Sequence, residues 1–158
     1  MHAPSQALSP TIRDHFLADH RRLEDLFERV LDAFENGVRE ELSALWTRFE
    51  TDLGHHMEAE EKFLIPAFAR EYPEEAEAIL GEHREFRCKL AELGVGVDLH
   101  IVRLTVASKF IEALRAHAHR EDGLLYQWGD ENLELRERAS LLRALRQRIV
   151  PSEFQKSS

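Results

Sequence analysis

His56-Met57-Glu58-Ala59-Glu60-Glu61 and His117-Ala118-His119-Arg120-Glu121-Asp122 are the two stretches on which the reading of this chain turns. Each sets a carboxylate four residues after an imidazole, one helical turn further along the same face. Each then runs into apolar residues, Phe63-Leu64-Ile65 in the first and Leu124-Leu125-Tyr126 in the second. A further histidine precedes each motif at nearly the same interval: 36 residues separate His20 from His56, and 34 separate His83 from His117. The chain therefore reads as two helical hairpins, each supplying one His and then His-x-x-x-Glu.

Outward from these motifs the apolar residues keep helical spacing. The first run holds Ile12, Phe16, Leu23, Phe27, Val30 and Phe34, with Ser9-Pro10 as N-cap and first helical residue and Asn36-Gly37 as the stop. The second holds Leu42, Leu45, Phe49, Leu53, Phe63 and Ala67 and ends before Tyr72-Pro73, with a kink predicted at Pro66. The third, with Ile79, Phe86, Leu90 and Leu93, is closed by Gly94-Val95-Gly96. The fourth, with Val102, Val106, Phe110, Ala113, Leu124 and Trp128, is closed by Gly129-Asp130. Long helices with short connections predict an all-α fold, an up-down-up-down four-helix bundle over residues 10–129. A short additional C-terminal helix over 130–150 carries Leu135, Ala139, Leu142, Leu145 and Ile149 and either crosses the bundle end or forms an oligomer contact. Residues 1–9 are expected to be a flexible N-terminus and 151–158 a disordered tail.

Composition bounds the function. At 158 residues and 43% apolar, with nine Phe, seven Gly and five Pro, the chain suits one helical domain rather than a turn-rich sheet. A net charge of −9 argues against nucleic acid. The single Cys88 excludes a disulfide scaffold and a thiolate zinc site. No apolar run reaches membrane-spanning length and Met1–Pro10 lacks a signal-peptide core, so a cytoplasmic protein without membrane contact is expected.

Nine His remain to be explained. His20 interrupts the first stripe, His56 and Glu60 the second, His83 the third, and His117 and Glu121 the fourth. Burying four imidazoles and two carboxylates without partners costs several kcal/mol per group, and no Lys or Arg lies on the same stripes. A bound cation resolves this, and two equivalent half-sites point to two metals. Imidazoles and carboxylates without thiolate suit iron, manganese or zinc. Zinc needs fewer ligands than are offered, so iron fits best. One step of this geometry is poor: a turn centred near Val97 leaves His83 and His117 about 9 Å apart in height.

The ordered set His20, His56-x-x-x-Glu60, His83 and His117-x-x-x-Glu121 resembles the hemerythrin-like (HHE cation-binding) domain family over about residues 10–128. The resemblance implies a centre of two non-haem iron ions (Fe2+/Fe3+) with a bridging oxo or hydroxo group, bridged also by Glu60 and Glu121. It implies binding of, or reaction with, dioxygen, nitric oxide or peroxide, in sensing, scavenging or iron handling. A di-iron oxidoreductase or peroxidase and a metal-free helical interaction module are the competing readings. A sensor would signal through a protein partner or the fifth helix. Oxygen carriers of the family have a further His four residues after the third-helix ligand, where this chain has Arg87; His15, His55 and Tyr126 are candidates to substitute or to support. His119 is expected to face outward, His55 to sit at the helix flank, and Cys88 to be incidental.

Overall fold

The computed structural model describes residues 10–147, and every element among them is helical. The expectations for residues 1–9 and 151–158 and for Ile149 lie outside the described residues; Pro10, expected as the first helical residue, precedes the helix instead. Helix α1 (Ile12–Asn36) starts at Thr11, whose hydroxyl accepts from the Asp14 amide while the Asp14 carboxylate accepts from the Thr11 amide. Helix α2 (Arg39–Phe63) is followed, after a break at Leu64, by the short α3 (Ile65–Ala69). Pro66 forces that break, lacking an N–H and crowding the carbonyl four residues back. Phe63 is thereby left exposed, and Leu64, Ile65 and Phe68 enter the core in its place and that of Ala67.

Helix α4 (Pro73–Asp98) runs through Gly94 and Gly96, which the sequence reading had as its end. Both serve close approach instead: a Cβ on Gly94 would lie 3.2 Å from Trp46 Nε1, and one on Gly96 3.1 Å from the Ile101 carbonyl. The turn comes later, through His100 at φ 56°. His83 and His117 then lie 18 and 16 residues from Ile101, an offset of about 3 Å that removes the height mismatch. Helix α5 (Leu104–Arg120) continues through a π-helical turn (Glu121–Leu125) into α6 (Tyr126–Asn132), three residues past Gly129. Gly129 lies where a Cβ would meet Leu64 Cδ1 at 2.9 Å. In α5 the buried apolar positions are Ala107 and Phe110 with Leu114 half-buried, while Val106 and Ala113 are exposed.

The packing order is cyclic: α1 lies on α2, α2 on α4, α4 on α5, and α5 and α6 return to α1. Helix α7 (Leu135–Arg146) packs along α2 and α1 through the buried Leu141 and Leu145. The apolar interior falls into two bodies, one around Phe27, Phe49 and Phe110, the other around Phe16, Leu64, Phe68 and Leu125. The polar side chains of the two motifs lie in the layer between them.

Phe49 is fully buried, with its ring 5.1 Å from Phe27 and 6.2 Å from Phe110. Phe49→Ala is expected to cost about 3–5 kcal/mol in denaturant unfolding. Leu135→Ser, at a residue 85% exposed, should cost less than about 0.5 kcal/mol. Comparable losses in the two would mean that the interior is assigned to the wrong face.

Candidate metal centre

Four helices bring the six motif residues together: His20 from α1, His56 and Glu60 from α2, His83 from α4, and His117 and Glu121 from α5 and the π turn. All but His20 are buried, and His20 is half-buried. Glu60, His83, His117 and Glu121 converge as one set of donor atoms, and His20, His56 and Glu121 as another. Glu121 belongs to both.

Their contacts are close without being hydrogen-bonded. His117 Nε2 lies 3.0 Å from Glu121 Oε1, and His83 Nε2 3.7 Å from both Glu60 Oε1 and Glu121 Oε2. Yet His83 Nε2, His117 Nε2, Glu60 Oε1 and Glu121 Oε2 are buried and have no hydrogen-bond partner. Native interiors rarely leave such atoms unpaired. Nitrogen and oxygen atoms that converge in this way without satisfying one another are the donor set of a cation, so the residues fit a metal ion by chemistry as well as by spacing.

The other ring nitrogens are held from behind. His56 Nδ1 donates to Asp19 (2.7 Å), His83 Nδ1 to Glu61 (3.3 Å) and His117 Nδ1 to Glu82 (2.9 Å). Each carboxylate is in turn paired with an arginine. Arg22 links Asp19 (3.1 Å) to Asp52 (2.7 Å), Arg87 holds Glu61 through two bonds of 2.7 and 2.8 Å, and Arg120 reaches Glu82 (2.6 Å). This fixes the rings so that Nε2 faces inward. Arg87, standing where a fifth imidazole was sought, thus turns to Glu61 and away from the donor atoms. The sequence reading missed these carboxylates, although they carry a signal. Asp19, Glu61 and Glu82 are each the immediate neighbour of one motif residue, and each serves the imidazole of the next helix. The corresponding neighbour of Glu121, Asp122, pairs with Arg13 (3.1 Å), and His20 Nδ1 has no hydrogen-bond partner.

Burial pushes the His56 imidazole down to about 4 against the pull of Asp19, so it is neutral at physiological pH, as a ligand must be. Burial, and then the charge of Glu121, push the Glu60 carboxyl well above its ordinary range. Burial acts the same way on Glu121, but His117, Glu60 and His20 together outweigh it and hold Glu121 well below. One of the two carboxyls therefore keeps a proton until a cation arrives.

A family model for the hemerythrin HHE cation-binding domain matches residues 11–129. The chain belongs to the hemerythrin family. No curated protein and no solved structure matches it. A buried His/Glu cluster that could hold metal is what a hemerythrin cation-binding domain requires, and it lies within the matched span.

Among the remaining candidates, His119, His55 and Cys88 are exposed and His15 half-buried. Tyr126 is fully buried, with its hydroxyl among the donor atoms. Along a cavity of about 260 Å³, Leu17, Leu53, Met57 and Phe86 form an apolar wall beside His20, His56 and His117.

A carboxyl whose folded pKa is raised contributes stability that is full below its unfolded value, about 4.3, and is lost as pH rises through the folded value. The metal-free protein should therefore lose melting temperature from about pH 4 towards neutrality through Glu60. Glu60→Gln, neutral and of the same shape, should raise the melting temperature of the metal-free form at pH 7 while weakening cation uptake. A lower metal-free melting temperature in this variant would contradict the assigned charge state.

Proposed function

We propose that His20, His56, Glu60, His83, His117 and Glu121 hold two non-haem iron ions linked by an oxo or hydroxo group. The carrying scaffold is an up-down-up-down four-helix bundle. The protein binds or reacts with dioxygen, nitric oxide or peroxide, in sensing, scavenging or iron handling. The observation that supports this best is the set of partnerless buried atoms: of six such side-chain atoms among the described residues, four are inward-facing donor atoms of Glu60, His83, His117 and Glu121. That set also weighs against a metal-free interaction module, in which each such atom would cost about 1–3 kcal/mol with nothing in return. When bound, iron supplies electron transfer to the small molecule. The chain supplies imidazoles, carboxylate–arginine pairs that lock them, and an apolar wall from Leu17, Leu53, Met57 and Phe86 beside His20, His56 and His117, against which an uncharged small ligand fits better than a charged one. A cytoplasmic setting suits the exposed thiol of Cys88.

Reconstitution with ferrous iron under anaerobic conditions, followed by metal analysis and an optical spectrum, tests the reading. About two irons per chain are expected, and a chain that stays colourless and iron-free overturns it. Stopped-flow mixing of the reduced protein with oxygen, peroxide and nitric oxide then separates diatomic-ligand binding from oxidoreductase turnover. The register is tested by two neighbouring histidines. His117→Ala removes a buried ligand and should lower iron content and the melting temperature of the loaded form more than that of the metal-free form. His119→Ala removes an exposed ring and should change stability by less than about 0.5 kcal/mol. Equal iron loss in both would require a different ligand set.

A further inference from the structure

Tyr126 has the least ordinary environment in the core. Its side chain is fully buried, and its oxygen lies 3.0 Å from Glu60 Oε2, 3.1 Å from Glu121 Oε1 and 3.1 Å from His20 Nε2. A phenol has one hydrogen to give, so it satisfies one carboxylate only. Its contact with the other sets lone pair against lone pair unless a proton or a cation lies there. The rest of the ring is apolar in its surroundings: Phe16 stacks on it at 4.8 Å. Packing alone would be served by phenylalanine, without the cost of burying a hydroxyl.

Backbone geometry shows how the phenol gets there. Five residues along an α-helix turn a side chain about 140° away from its starting face, so an uninterrupted helix carrying Glu121 inward would carry Tyr126 out of the site. The π turn Glu121–Leu125 adds one residue to the turn, and the Tyr126 amide closes it on the Glu121 carbonyl. Residue 126 then lies over residue 121. Such turns are unfavourable in isolation and concentrate at functional sites.

Donor spacing completes the case. Ligand atoms about 2.0–2.2 Å from a shared ion stand about 3 Å apart when they are adjacent in an octahedron. The Tyr126 oxygen, Glu121 Oε1 and His20 Nε2 form a triangle with edges of 3.1, 3.1 and 3.5 Å, and His56 Nε2 lies 2.9 Å from His20 Nε2. From this we propose that the Tyr126 oxygen is a direct ligand of the ion held by His20, His56 and Glu121. The two half-sites are then chemically unlike: one has a phenol oxygen, the other has His83 and His117 with no added donor. Coordination releases the phenol proton to solvent and leaves the oxidation state of the iron unchanged. The assignment rests on the iron centre proposed above.

The chain contains two tyrosines, Tyr72 and Tyr126, which makes the test clean. The full-length protein is loaded with ferrous iron, oxidised in air, assayed for iron and examined by resonance Raman spectroscopy with visible excitation. Tyrosine ring and C–O modes enhanced through a phenolate-to-iron band are expected in the unaltered chain and in Tyr72→Phe, and are expected to vanish in Tyr126→Phe. Tyr126→Phe should also hold one of its two ions about tenfold or more weakly. Two irons in the unaltered chain without these modes, or modes that survive Tyr126→Phe, overturn this assignment and leave the di-iron reading standing. An unaltered chain that takes up no iron overturns both. Because the unaltered chain alone decides the first point, the test survives a variant that fails to fold.

Discussion

Two carboxyl groups, Glu60 and Glu121, are buried completely within reach of one phenol oxygen, and their charges cannot both exist there unaided. The rest of the structure answers that constraint. Without a cation the chain lowers the local charge by favouring a proton on Glu60 and the charged form of His117 beside Glu121. With a cation the same atoms could serve as its ligands. The layer is therefore a place where folding free energy is set aside for binding: what makes the metal-free interior less stable is what makes cation uptake favourable.

Precision in that layer comes from outside it. The rings of His56, His83 and His117 are each fixed by a carboxylate, and each carboxylate is fixed by an arginine at or near the surface. Arginine suits the task because its planar fork holds both carboxylate oxygens, as Arg87 does on Glu61. The charge of each arginine balances the outer carboxylate and leaves the inner pair uncompensated, which preserves the affinity of the centre for a cation. His20 stands apart. Its Nδ1 has no hydrogen-bond partner, and its Nε2 faces both His56 and the Tyr126 hydroxyl.

Much of this was legible in the sequence. The six motif residues interrupt apolar stripes, and an interruption repeated on every helix is a strong signal because burial makes each one costly. The all-helical class followed from the same stripes. Helix ends were less legible. Gly94, Gly96 and Gly129 have the local signature of a stop, yet each sits inside a helix where Trp46, the Ile101 carbonyl or Leu64 comes too close for a side chain. A close approach between distant segments leaves the same mark on the sequence as a turn does. The outer carboxylates were hidden for a related reason: each reaches a histidine on a different helix, and one-dimensional spacing has no measure of that.

The stripes fail at corresponding places in the two halves of the chain, and this is informative. After Glu60 the expected positions 63 and 67 give way to Leu64, Ile65 and Phe68; after Glu121 the expected 124 and 128 give way to Leu125, Tyr126 and Gly129. The devices differ, a proline-driven break in one half and a π turn in the other, but each advances the buried face by one residue just past the carboxylate. An α-helix that points His and Glu inward at i and i+4 has its next inward position at i+7 or i+8. The second apolar body needs buried residues at i+8 and i+9 instead, Leu64 and Ile65 in the first half and Leu125 and Tyr126 in the second. A single inserted step of register reconciles the spacing of the His and Glu of each motif with the packing of the core beneath them. In the second half that step also brings a phenol to the centre, whereas in the first it brings only Leu64 and Ile65. The repeat seen in the sequence thus conceals a difference between the two sides, and that difference arises in backbone geometry rather than in the motifs themselves.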